Sequence, residues 1–259
     1  MFKLHAELVS FTRMVDIEVH DVDARLGSYE ATLAALETDA LAQQRALMAV
    51  RRRLACAITR ARITDIMHGR VMLRRGSLAS ESDDARLKLP AYVSADRRVL
   101  LGDLGSVAEL LDTDDQDPGF AKFLETNPIK AVLVCMGADA AKSVAREFRK
   151  RELNYIGLEG CVDEEGYPLI QRHLGTTRAF IREQLAASAP HGCVLVHCHE
   201  GKNRSGALVV AYLMVEHRMK LTDAIAYVWQ RRPIVLSNES FVEQLVQLAA
   251  DEGLLDEDL

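Results

Sequence analysis

Several apolar runs in the last two thirds of the chain are short, continuous and rich in Val, Ile and Leu, as buried strands are. Residues 129–134, 154–158 and 194–196 are three such runs, and residues 91–94 and 98–101 make a strand pair around Ala95 and Asp96 that Gly102 ends. Stretches with helical spacing lie between and after them, at residues 120–126, 138–152, 170–187, 207–214 and 221–230. Strands alternating with helices predict an α/β domain over residues 90–250, with a central, largely parallel twisted sheet flanked by helices. A stretch of that length is ample to bury one core.

The first third follows a different period. Val19, Leu26, Leu33, Ala40, Leu47, Leu54 and Ala61 recur every seven residues. A second series, Val15, Val22, Tyr29, Leu36, Gln43, Val50 and Ala57, is offset by four. The pair forms an a/d stripe, so residues 1–75 predict a coiled-coil-like, all-α region, either one long helix or a hairpin broken at Gly27 and Ser28. Such a stripe needs cover. Residues 16–39 carry seven acids against Arg25, whereas residues 45–75 carry nine arginines against Asp65. Unlike halves favour antiparallel packing, within a hairpin or between two chains through residues 15–61. Nine arginines are also chemistry that meets nucleic acid or anionic lipid, but the interleaved Leu, Ile and Ala favour a packed helix face. The acidic tail at residues 251–259 offers those arginines a further partner. Residues 76–89, with Gly76, Ser77, Ser80, Ser82, Asp83 and Asp84, read as the linker between the two regions.

One run carries the chemistry. Residues 193–206 read Cys-Val-Leu-Val-His-Cys-His-Glu-Gly-Lys-Asn-Arg-Ser-Gly, so an apolar strand delivers Cys198 into a loop that closes on Arg204, and Ser205 and Gly206 open an apolar helix. A strand–loop–helix unit aims its loop amides and the helix N-terminus at one point, which suits an anion. A cysteine there ionises readily: free thiols titrate near ~8.5, and values of roughly 3.5–7.5 occur at helix N-termini and beside cations. A thiolate is a nucleophile, and the same amides with the Arg204 fork would hold phosphate oxygens. His197, Cys198 and His199 are contiguous, but adjacent residues point apart and no second Cys/His cluster stands at ligand spacing, so no metal site is expected.

With these residues, and with the later succession of residues 211–214, the helix at 221–230, residues 231–234, Asn238 and residues 241–245, the chain resembles the dual-specificity phosphatases of the protein tyrosine phosphatase superfamily. The resemblance covers about residues 90–250. It implies that Cys198 forms a phosphocysteine, that Arg204 clamps the phosphate, and that Ser205 donates a hydrogen bond to the leaving thiolate. The loop residues His199, Glu200, Gly201, Lys202, Asn203 and Arg204 would bind phosphate, with His197 and Asn238 in support. It also implies an acid on a loop about thirty residues earlier, where Asp163 is the choice over its neighbours Glu164 and Glu165 because the apolar Leu169 stands six positions on. Burial and nearby anionic charge would help such an acid keep its proton.

The resemblance implies phosphoprotein substrates, carrying phosphotyrosine, phosphoserine or phosphothreonine, and no cofactor. No added recognition loop is seen between residues 90 and 190, so a shallow cleft is expected. Lys202 resembles the lysine of phosphoinositide-directed relatives, and Asn203 matches RNA 5′-triphosphatase relatives. Those substrates, or an inactive phosphate-binding scaffold, are the alternatives. Cys135 stands where the phosphatases of regenerating liver carry a similar cysteine, which implies a redox partner for Cys198, against its reading as a core residue.

Composition narrows the setting. Hydrophobic residues make up 49% of 259 and the formal net charge is −6, as in a globular chain. No apolar run of eighteen residues predicts a membrane span, and neither a signal-peptide core nor a prenylation box is evident. Five cysteines without paired spacing suggest reduced thiols and a cytoplasmic location, with the nucleus compatible.

Overall fold

The strands lie where unbroken apolar sequence meets a turn residue, and the alternation within them explains the layers. A computed structural model describes residues 40–67, 89–112 and 116–256. Helix α1 (Ala40–Met67) comes first, then β1 (Ala91–Tyr92), β2 (Val99–Gly102), α2 (Leu104–Leu111), α3 (Pro118–Thr126), β3 (Ile129–Val134) and α4 (Ala138–Lys150). There follow β4 (Asn154–Gly157), α5 (Leu169–Ala187), β5 (Cys193–His197), α6 (Arg204–His217), α7 (Leu221–Trp229) and α8 (Glu239–Glu252). The five strands form one sheet in the order β1-β2-β5-β3-β4. All pairs are parallel except β1 with β2. This is the expected α/β architecture.

Successive residues of a strand face opposite sides, and both sides are covered. Val99, Leu101, Ala131, Leu133, Val194 and Val196 face a core shared with α5, α6, α7 and α8. Leu100, Val132, Val134 and Leu195 face the other side, with Phe120 of α3 and Phe148 of α4. Because both faces are dry, β5 is buried along its whole length and reads as continuous apolar sequence. Helix α6 is buried from Ser205 through Met214, which fixes the end of the 198–204 loop as firmly as β5 fixes its start.

Helix α2 was not foreseen from hydrophobic spacing. Its local signal is the cap: the Asp103 side chain accepts from the Ser106 amide at 2.8 Å, and the Ser106 hydroxyl lies 3.4 Å from the Asp103 amide.

Helix α1 packs on α7 and α8 of its own chain. Leu54, Ile58, Ile63 and Ile66 are buried, and the last two join the core around α6. Ile63 and Ile66 belong to neither heptad series, because the helix faces a two-helix surface with a 3.6-residue period rather than a single seam. Arg52 pairs with Asp251, Arg60 with Glu243, and Arg62 with Asp256 at 3.3 Å. The acidic C-terminal segment is thus a partner of the arginines. Asp251 and Glu252 end α8, and Leu254, Leu255 and Asp256 are buried. Of the hairpin or self-association expected through residues 15–61, the part up to residue 39 lies outside the described residues, as do residues 76–88 of the linker expected at 76–89 and residues 257–259.

Exposed ion pairs stabilise by only about 0–1 kcal/mol each, so apolar burial holds α1 in place. Ile63→Ala is expected to cost about 2–5 kcal/mol. Urea unfolding should show one transition at a lower midpoint, and an early, separate melting of α1 would contradict this packing. Among the described residues, no helix is long and apolar enough to cross a membrane.

Candidate active site

The parallel strands β2, β5 and β3 end at one edge, and Cys198 follows β5 directly. Its side chain is 1% exposed, and its Sγ accepts a hydrogen bond from Ser205 Oγ at 3.1 Å. Residues 198–203 join the end of β5 to the N-terminus of α6, the placement a loop needs if its amides are to converge on an anion. His199 and Glu200 are exposed on the rim, Gly201 is buried, and Lys202, Asn203 and Arg204 are half-buried.

Gly201 explains the loop's shape. It adopts φ +64, and a Cβ there would lie 2.4 Å from the carbonyl oxygen of Gly102, so only glycine fits between the loop and the end of β2.

Behind that glycine sits a residue to which sequence reasoning gave no role. Arg232, 1% exposed, donates from Nε to Gly201 O at 2.9 Å and from Nη2 to Glu200 O at 3.0 Å and to Asp103 Oδ2 at 2.8 Å. Leu104 N also donates to His199 O at 3.1 Å. The segment Arg231-Arg232-Pro233 is visible in the sequence, but its partner Asp103 lies 129 residues away and nothing local announces it. A cleft of about 520 Å³ opens beside the rim, between the Asp103–Gly105 turn and His199, Glu200 and Lys202, with Arg232 and Ile234 also lining it.

Asp163, from the loop between β4 and α5, is brought over the phosphate-loop candidate. Its side chain is 29% exposed, and its Oδ2 lies 3.8 Å from Arg204 Nε. Asn203 Nδ2 donates to Asp163 Oδ2 at 3.2 Å and Asn238 Nδ2 to Oδ1 at 3.0 Å. Glu164 and Glu165 are exposed. The structure therefore gathers Cys198, Arg204, Ser205, Asp163, Asn203 and Asn238 at one place. The direct role of Asn203 beside Asp163 was not read from the sequence.

His197 and Cys135 lie beneath the loop. His197 Nδ1 is 3.3 Å from Cys198 O, and burial drops its pKa to about 4. Cys135 is fully buried, and its amide donates to His197 O at 2.8 Å. Burial, followed by the charges of Cys161 and Cys198, holds its thiol well above the usual range. Burial also pushes Cys161 up to about 12, with Arg204 acting in the opposite sense.

The histidine has a consequence for stability. Unfolded, His197 takes up a proton as pH falls through about 6.5; folded, it resists until about 4. Stability is unaffected above 6.5 and falls between 6.5 and 4, by a total of about 3 kcal/mol at roughly 1.4 kcal/mol per pH unit. His197→Asn is expected to flatten the acid side of a plot of Tm against pH. An unchanged slope between pH 6.5 and 4.5 would contradict the burial of this ring.

The arrangement brings together a thiol bonded by a hydroxyl and a guanidinium beside a carboxyl, the groups that attack on phosphorus with proton transfer to the departing oxygen requires. Comparison with known proteins gives the family. The model of "Dual specificity phosphatase, catalytic domain" matches residues 115–251, more than half of the chain. Dual specificity protein phosphatase 1 of Arabidopsis thaliana is 49% identical over 57 residues, covering 22% of this chain and 29% of that protein. Dual specificity protein phosphatase 2 of Mus musculus is 47% identical over 94 residues, covering 35% and 30%. The MAP kinase phosphatase with leucine-rich repeats protein 3 of Dictyostelium discoideum is 31% identical over 130 residues, covering 50% of this chain and 14% of that protein. The chain thus spans less than a third of the length of each of these relatives. With the family model matched across the strand–loop–helix unit and the loop that carries Asp163, the chain belongs to the dual-specificity phosphatase family.

Proposed function

We propose that the protein is a dual-specificity protein phosphatase, hydrolysing phosphotyrosine, phosphoserine and phosphothreonine monoesters through a phosphocysteine on Cys198. The observation that carries this reading is the Ser205 hydroxyl 3.1 Å from Cys198 Sγ, at the N-terminus of the helix that begins with Arg204. In the first step the thiolate of Cys198 attacks phosphorus and the ester P–O bond breaks. Asp163 gives its proton to the leaving oxygen, and Arg204 with the loop amides holds the remaining phosphoryl oxygens. In the second step water attacks the phosphocysteine, Asp163 takes the water's proton, and the S–P bond breaks. The thiolate returns with the Ser205 hydroxyl bonded to it, which stabilises it as a leaving group.

The five cysteines are all unpaired, which supports a reducing compartment such as the cytoplasm. Substrate class follows from the family's phosphoprotein chemistry together with the position of Asp163 over the loop.

The test is phosphate release from a peptide carrying phosphothreonine and phosphotyrosine, beside 5′-triphosphate RNA and a phosphoinositide, with Cys198→Ser as control. Cys198-dependent release from both peptide phosphates, faster than from the RNA or the lipid, is expected. Preference for the RNA or the lipid would replace the protein reading with the one that Asn203 or Lys202 suggests. Silence on every substrate would leave a phosphate-binding scaffold.

A further inference from the structure

Asn203 holds the N-cap position of α6, yet its side chain caps nothing. An asparagine there ordinarily accepts from one of the first helical amides, a favourable contact. Here Oδ1 is turned away and accepts from Ser237 N at 2.9 Å, Ser237 Oγ at 3.0 Å and Asn238 N at 3.1 Å. All three donors belong to the turn ahead of α8. That turn is fastened to the loop on the other side of Asn203 as well, since Leu236 N donates to Lys202 O at 3.1 Å.

With its oxygen held by three donors, the amide has one orientation. Its Nδ2 must face the opposite way, and there it meets Asp163 Oδ2 at 3.2 Å. Asn238, from the same turn, grips the other carboxylate oxygen at 3.0 Å, and its own Oδ1 caps α8 through Ser240 N at 3.1 Å. A residue withdrawn from its own helix leaves the first amides of α6 open to a phosphate. It also ties the acid's loop to the loop that would hold that phosphate.

We propose that Asn203 is a positioning residue: it fixes the Asp163 carboxyl at the reach needed to protonate the leaving oxygen, in concert with Asn238. The inference rests on the phosphatase reading above. A serine at 203 is too short to span from the 237–238 turn to Asp163. An aspartate keeps the three accepted bonds but sets an oxygen against Asp163 Oδ2 where an N–H now lies.

The experiment is kcat/KM over a series of aryl phosphates of rising leaving-group pKa, and over a phosphothreonine peptide, for the parent chain and for Asn203→Asp, Asn203→Ser and Asp163→Asn. Each Asn203 variant is also combined with Asp163→Asn, and folding is followed by Tm. General acid catalysis contributes about 10²–10⁴-fold. Part of it should vanish on loss of Asn203: a fall of about tenfold or more with poor leaving groups, and less than about threefold with p-nitrophenyl phosphate. Asn203→Ser, which adds no charge to the loop, should add no loss once Asp163 is Asn. A loss equal across all leaving groups, or a further loss from Asn203→Ser on top of Asp163→Asn, would overturn the role of Asn203 and leave the phosphatase reading intact. A parent chain without Cys198-dependent turnover would instead overturn the reading on which it rests.

Discussion

Exchanging Cys198 for serine is expected to abolish turnover, by on the order of 10⁴-fold or more, while phosphate still binds. The two halves of that expectation have separate physical origins. Turnover needs a nucleophile that is ionised at working pH, and a serine hydroxyl in the same place keeps its proton. Binding needs only the converging amides of residues 198–204 and the guanidinium of Arg204. Neither changes when one buried atom is replaced, because β5 and α6 are buried on both sides of the loop and fix its ends. The Ser205 hydroxyl, 3.1 Å from Sγ, can donate to an oxygen as well as to sulfur. Single-turnover phosphate release and equilibrium dialysis of inorganic phosphate read the two halves independently. Residual turnover within about a hundredfold of the parent would mean that the chemistry does not pass through Cys198. Loss of phosphate binding would mean that the thiol shapes the loop rather than reacting from it.

Much of this site is legible in the sequence because its central pieces are contiguous. An apolar run, a cysteine, a six-residue loop, Arg204 and Ser205 occupy one short stretch, and strand, loop and helix preferences all agree there. The sheet was legible for a similar reason: strands buried on both faces are continuous apolar runs, and 129–134 stands out at its observed bounds. What escaped is whatever depends on distant partners. Arg232 reads only as part of the 231–234 succession, with no role of its own, until the fold sets it against Asp103, Glu200 O and Gly201 O. Asn203 reads as one more phosphate-binding loop residue, and its bonds to Ser237, thirty-four residues on, and to Asp163 appear only in the fold. Helix α2 follows β2 with only Asp103 between them, so its spacing does not set it apart, though its Asp103/Ser106 cap is written in the chain. Around α1 the heptad stripe was real as a pattern, but the cover it needed comes partly from α7 and α8 of the same chain.

Arg232→Met is expected to destabilise the fold by about 3–5 kcal/mol and to weaken phosphate binding with it. A lone surface arginine would cost almost nothing to remove. This one is 1% exposed and its fork bonds two carbonyls of the phosphate-loop candidate and a carboxylate that also caps α2. Taking it away leaves Gly201 O and Glu200 O without their donor and Asp103 beside an apolar side chain. Buried polar groups left unpaired are what make such removals expensive. The loop would then lose the anchor that holds its back against β2, where Gly201 already sits too close to Gly102 for any side chain. Arg232→Lys should recover little, since one ammonium cannot present two arms to three acceptors. Pairing Arg232→Met with Asp103→Asn should recover part of the loss, because the carboxylate charge goes with its partner, although the two carbonyls stay unsatisfied. Urea unfolding of the four chains reports the stability cycle, and the inhibition constant of inorganic phosphate reports the loop. A single substitution that lowers stability by less than about 1 kcal/mol, with phosphate binding unchanged, would show that the loop carbonyls find water in place of Arg232. The loop would then keep its shape through β5, Gly201 and α6 alone.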